Sequence, residues 1–299
     1  MYIENMDGTE AAGSIRKPAA LKRFAVLMMV IVMAAVMTDL SALRAAAQTY
    51  EAPVFTAEAM YDSGETHPYN RQTDTIVLHW EKLSGAARYQ LFMNREGSGE
   101  WTCVGSTSLD HKKITGLERA VKYNFKIRAV YAGNKYSEFS PVQTISTARM
   151  DYDYAGWQAM CRIVYHEVGQ INDSMWDKPI VYVADCTVNR YVAAKYDNDG
   201  LWAPYYRNYS NIQQVIYNSG NFMSDAGLTR DGCSYDRVPE KVKLAVFGAV
   251  TDQAVYKDIA NDLDIYYWCN RGYTVSSKIA YSFPIPWGGY FYIWRSYWG

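Results

Sequence analysis

Glu167 is the side chain whose type and place in this sequence most invite chemistry. From Trp157, the apolar residues Met160, Cys161, Val164 and Val168 recur at helical spacing, a stripe that advances about 100° per residue, and Gly169 stands where such a helix would be capped. Glu167 falls on the shoulder of that stripe, beside Ile163 one turn back. A partly desolvated carboxylate at the negative end of a helix dipole holds its proton more readily, as a general acid must. The same position also suits an edge carboxylate that reaches to solvent or a surface cation, so spacing alone leaves both roles open.

The remaining inventory narrows the choice. From Tyr154 onward there is one histidine, His166, so a zinc site built on two or three imidazoles lacks its ligands. Cys161 and His166 are five residues apart on one helix and point about 140° away from each other, which excludes them as a nucleophile and base. No nucleophile elbow, glycine-rich phosphate cradle or dinucleotide fingerprint occurs. Glu240 sits in the first turn of its own helix, where dipole stabilisation accounts for it. Carboxylate chemistry survives. Ordinary glycoside hydrolysis would need a second carboxylate about 5 to 9.5 Å from the first; Asp173, Asp185 and Asp225 are available, and no spacing selects among them.

The elements that must position Glu167 are mostly helical. Beyond the helix over 157–168, Asp177 is expected to cap a helix opened by Pro179, with Val181, Ala184, Val188 and Tyr191 or Val192 on one face. Ser210-Asn211-Ile212-Gln213 reads as a capping box for a short helix ending near Gly220, and Pro239 opens a helix carrying Val242, Val246 and Val250. Ile265-Tyr266-Tyr267-Trp268 and Tyr290-Phe291-Tyr292-Ile293-Trp294 are aromatic and strand-like, so a small sheet should accompany the helices.

The preceding segment has a different period. Ile76, Leu78 and Trp80, then Tyr89, Leu91 and Met93, then Tyr123, Phe125, Ile127 and Ala129 alternate with outward positions, and turn signals separate the runs. Together with the spacing of Leu117 to Tyr123, this predicts a β-sandwich with a tyrosine corner. His67, His79 and His111 have no acidic or cysteine companions at ligand spacing and read as surface histidines. Nearest the N-terminus, Arg16, Lys17, Lys22 and Arg23 precede an apolar run of 14 residues, and Ala45-Ala46-Ala47 offers small residues for a signal peptidase. That run is short of the roughly 20 residues that span a bilayer, so a cleaved secretion signal is favoured over an uncleaved anchor. A net charge of −1 with scattered basic residues gives no surface for nucleic acid. Cysteine spacing shows no framework; Cys161 and Cys186 read as core residues, whereas Cys233 and Cys269 could pair.

Two families are resembled. Ile114-Thr115-Gly116-Leu117, Tyr123 through Ala129 and Ser137-Glu138-Phe139-Ser140-Pro141 look like the later strands of a fibronectin type III domain, a module that resembles spacers or weak carbohydrate or protein binders in secreted enzymes. Arg162 through Glu167, then Val183-Ala184 with Val188-Asn189-Arg190, then Ile212 through Phe222, then Tyr266-Tyr267-Trp268-Cys269-Asn270 resemble, in order, the SleB-type cell wall hydrolases. Asn221 stands where that family has Gln, Gly288-Gly289-Tyr290 where it has a Gly-Asn-His-like turn, and residues 197–208 form an insert. The expected architecture is therefore multidomain: a leader (1–47), an all-β fibronectin type III sandwich (51–148), a linker (149–156) and an α+β, mostly helical lysozyme- or lytic-transglycosylase-like domain (157–299). The resemblance implies a secreted enzyme that cleaves the MurNAc–GlcNAc bond of peptidoglycan glycan strands through Glu167, with Tyr217, Asn221, Tyr266, Asn270 and Tyr290 along the groove and neither cofactor nor metal. Contact with a membrane would come only through the leader. Lytic transglycosylase chemistry, which needs one acid, is favoured over hydrolysis. A wall-binding protein with a degenerate enzyme fold and an amidase acting on peptide stems are the other classes.

Overall fold

The computed structural model describes residues 50–56, 71–269 and 276–295. The expected leader, His67 and Asn270 lie outside these residues. Where the sequence alternates, strands form: β1 (Thr75–His79), β2 (Arg88–Arg95), β3 (Thr102–Thr107), β4 (His111–Thr115), β5 (Lys122–Tyr131), β6 (Lys135–Tyr136) and β7 (Gln143–Ser146). β1 pairs with β4, and the second sheet runs β3-β2-β5, with β6 and β7 both along the free edge of β5. Ile76, Leu78 and Trp80 from one sheet pack with Tyr89, Leu91, Phe125, Ile127 and Ala129 from the other. The tyrosine corner forms, since the Glu118 N–H donates to Tyr123 Oη at 2.9 Å. Between β6 and β7 the edge is completed by side chains: Ser137 and Ser140 accept the Ala129 and Ile127 N–H groups at 2.9 and 3.1 Å. Those β5 donors would otherwise be unpaired.

His79 and His111 depart from the expectation of lone surface histidines. They are cross-strand partners with rings stacked at 5.6 Å, and His111 Nδ1 lies 2.8 Å from the Asp110 carboxylate. Burial, reinforced by the neighbouring His111, lowers the pKa of His79.

The segment expected as a linker is packed and starts a helix. Met150 and Tyr152 belong to the core of the helical region, and the Asp153 carboxylate caps α1 (Tyr154–Val164) by accepting the Gly156 N–H at 2.7 Å. Trp157, Met160, Cys161, Val164 and Val168 are all buried, as their spacing predicts. The helix widens into a π-turn over Tyr165–Gly169, so the residues after Val164 leave the regular step. Gly169 is not a left-handed cap. It is a close-approach glycine: a Cβ there would stand 2.6 Å from Val242 Cγ2.

A short 3₁₀ turn (Ser174–Trp176) leads into α2 (Asp177–Lys195), which is buried almost all round. Asp177 does not cap it; Asp173 caps the preceding turn instead, and the Asp177 carboxylate accepts from Tyr256 Oη and Lys257 Nζ, both at 2.6 Å. α3 (Ala203–Tyr206) lies in the insert, and α4 (Ile212–Asn218) is capped one residue later than expected: Asn211 Oδ1 accepts the Gln214 N–H, and Gln214 Oε1 accepts the Ser210 N–H, both at 3.0 Å. α5 (Asp225–Arg230) and α6 (Glu240–Thr251) follow. The small sheet runs β8 (Tyr267–Cys269), β10 (Tyr290–Trp294), β9 (Ile279–Pro284), all antiparallel.

The sandwich is tied to the helices by side chains. Gln72 exchanges two hydrogen bonds with the Tyr152 backbone, Thr73 binds Asp151, and Arg71 donates to Gln253 at 2.5 Å with its cation over the Phe247 ring. Arg149 reaches the Ala249 carbonyl and Asn189 Oδ1. Glu51–Gly299 accordingly clusters as one unit.

Candidate active site

The π-turn delivers Glu167 half-buried to the wall of a cleft of about 470 Å³. Trp268 Nε1–H on β8 donates to Glu167 Oε2 at 3.0 Å, which fixes one carboxylate oxygen. The other walls come from three elements: Trp176 from the 3₁₀ turn, Phe291 from β10, and Ile285 and Trp287 from the turn joining β9 to β10. Trp176 and Phe291 pack at 5.5 Å and form the floor, whereas Trp287 is 76% exposed. The turn that carries Trp287 closes with the Ile285 N–H donating to the Gly289 carbonyl. Gly288 and Gly289 have φ of 108° and 86°, a region that suits glycine.

Glu167 is the one carboxylate among the described residues lining this cleft. Each aspartate considered as its companion is committed elsewhere. Asp173 caps the 3₁₀ turn, and Asp225 is ion-paired to Arg162 at 2.5 Å. Asp185 is fully buried, where it accepts from Asn261 Nδ2 and the Asp262 N–H at 2.7 and 2.9 Å. Burial pushes its pKa up to about 7.

Of the groove residues expected with Glu167, none in the described region lines the cleft. Tyr217 Oη accepts from Arg162 Nη1 at 2.8 Å, and the same guanidinium donates to the Cys233 carbonyl and Thr229, so Tyr217 is part of a clasp between α1, α4 and α5. Asn221 is exposed in the turn after α4; its neighbour Phe222 instead packs against Trp268 at 5.9 Å. Tyr266 stacks on Trp202 at 6.1 Å, and Tyr290 lies exposed against Tyr292. Trp268, two residues past Tyr266, lines the cleft instead.

The cleft also holds His166 and Cys269. His166 Nδ1 lies 3.8 Å from Cys233 Sγ and 3.9 Å from Asp231 Oδ2, and Gln170 donates to the same sulfur. Cys233 forms no disulfide, so the pairing it could have made with Cys269 is not formed. Cys233 is buried, and burial pushes its thiol pKa up, which leaves it a poor nucleophile. His166 therefore contributes an imidazole to the cleft that its sequence neighbours do not announce, since its partner lies 67 residues away.

No family model matches the chain, and no curated protein matches it. Solved structures similar to parts of it include fibronectin type III domains, matched at low TM-scores. The fibronectin type III domain of human fibronectin type III domain containing protein 3 is 22% identical, with 35% of this chain and 87% of that one covered and a TM-score of 0.26. A fibronectin type III domain derived from the human KIAA0970 protein is 16% identical, with 34% and 72% covered and a TM-score of 0.25. A structure described as a myokine is 14% identical, with 33% and 98% covered and a TM-score of 0.27. The chain joins strand-rich sheets to a mostly helical C-terminal region.

Proposed function

We propose that the chain is a secreted peptidoglycan-cleaving enzyme that breaks the MurNAc–GlcNAc bond as a lytic transglycosylase, with Glu167 as its acid and base. The reading rests on the resemblance to the SleB-type hydrolases, with their lysozyme-like domain, and is carried by one observation: among the described residues a single carboxylate faces the cleft. Glu167 protonates the oxygen of the glycosidic bond as the bond to C1 breaks. The muramic acid C6 hydroxyl then closes on C1 and gives its proton to the Glu167 carboxylate. The products are a free GlcNAc hydroxyl and a 1,6-anhydro end, with no water consumed. A hydrolase would need a second carboxylate to direct water, and Asp173, Asp185 and Asp225 are engaged away from the cleft.

The walls suit a sugar chain. The half-buried Trp268 lines the cleft over the buried Trp176 and Phe291, and the exposed Trp287 offers a stacking ring at the rim. The fibronectin type III-like sheets are assigned to holding the enzyme near the wall, with weak carbohydrate or protein binding of their own.

The test is release of soluble muropeptides from purified peptidoglycan by the wild type and by Glu167→Gln. Release by the wild type alone, unaffected by chelator or thiol blockade, supports the reading. Binding to peptidoglycan without release would move the chain to the wall-binding class. Free amino groups without glycan cleavage would make it an amidase.

A further inference from the structure

Arg190 on α2 is only 5% exposed, and it forms no ion pair among the described residues. A buried cation without a carboxylate partner costs stability unless other groups replace its water. Here rings do so. The guanidinium carbon lies 4.6 Å from the Trp268 ring centroid, 4.7 Å from Tyr267, 5.1 Å from Phe222 and 5.3 Å from Trp202. Its Nε–H donates to the Tyr266 carbonyl, which anchors the strand just before β8. The planar guanidinium is thus stacked where an ammonium would not be equivalent.

One wall of this cage leads to the cleft. Trp268 presents its ring to Arg190 and its Nε1–H to Glu167. A cation against the indole face draws electron density from the ring, and this strengthens the N–H as a donor to the carboxylate. Phe222 braces the same indole from another side.

We propose that Arg190 is a positioning residue for Glu167: through Trp268 it fixes the plane and strengthens the donor that hold the carboxylate in the cleft. Its effect on turnover rests on the function proposed above; its effect on Trp268 does not.

Two measurements on Arg190→Lys therefore go together. The first is the Trp268 indole ¹⁵N–H resonance, assigned by its loss in Trp268→Phe and expected to move in Glu167→Gln. It should move in Arg190→Lys as well; Arg190→Gln, which removes the charge and keeps a planar end group, serves if the lysine variant fails to fold. The second is a double-mutant cycle in turnover. Arg190→Lys should lower kcat about 10- to 100-fold with KM unchanged. In the Trp268→Phe background it should cost nothing more. An indole resonance unmoved in a folded Arg190 variant overturns the proposal, as does an Arg190→Lys loss that is undiminished in the Trp268→Phe background. If the wild type cleaves nothing, the function fails, while the resonance still decides whether Arg190 acts on Trp268.

Discussion

The strand-rich and helical regions use their buried polar side chains in opposite ways. Inside the sandwich, away from the Arg71, Gln72 and Thr73 ties to the helices, these groups serve nearby backbone: Tyr123 takes the Glu118 N–H, Tyr89 the Leu83 N–H, and Ser137 and Ser140 the donors of β5. In the helical region they reach across the sequence. Arg162 joins α1 to α4 and α5, Arg149 reaches Ala249 and Asn189 reaches Ile265, each more than 70 residues away, and Asp185 holds the Asn261-Asp262 turn. Local satisfaction lets the strands complete their own edges. Long-range ties hold separate elements apart at fixed distances, which is what an open cleft requires.

The largest expected effect breaks the sandwich side of that contrast. Phe125 has no exposed surface, and Phe125→Ala should cost about 3–5 kcal/mol in urea unfolding. The folded fraction should keep its full cleavage rate, because the cleft draws no residue from β5; a rate that falls with the stability would join the two regions functionally. Gly169→Ala probes the other side. Its Cβ would collide with Val242 on α6, so a loss of about 1–3 kcal/mol is expected together with slower cleavage, since Glu167 shares the π-turn. Val242→Ala in the same molecule should recover part of both losses.

Asp185 gives the long-range ties a pH signature. Its folded pKa of about 7 lies above its ordinary 3.8, so the folded state binds its proton more tightly than the unfolded chain does. Its stabilising contribution is full below 3.8 and is lost as pH rises through about 7. Asp185→Asn should flatten the slope of unfolding free energy against pH in that interval; an unchanged slope would remove Asp185 as its source. The smallest effect is at the rim. Trp287→Ala should leave the unfolding midpoint unchanged and weaken glycan binding by about 1 kcal/mol, read as KM or by direct titration. No loss of binding would take Trp287 out of the site.

The same contrast governs what the sequence revealed. Alternation located the strands that carry Leu91, Phe125 and Ile127, and the Leu117–Tyr123 spacing located the corner, because those contacts are local. The stripe from Trp157 likewise fixed α1 and put Glu167 at its edge. The partners of Glu167 were not legible. Trp268 is 101 residues away and reaches it only because β8 pairs with β10, so Tyr266 and Tyr290 could not be told from it by composition. Tyr217 was displaced from the groove by Arg162, and Cys233 was drawn to His166 rather than to Cys269; both depend on how α5 returns to α1. The π-turn was hidden because Val168 is buried with either geometry.

The most direct test of the central claim is mass spectrometry of the muropeptides released by the wild type and by Glu167→Gln. The expected result is 1,6-anhydro-muramic acid ends, lighter by one water than hydrolytic ends, from the wild type and no release above background from Glu167→Gln. Reducing-end muramic acid from the wild type, or equal release by the two proteins, would contradict a single carboxylate acting as both acid and base.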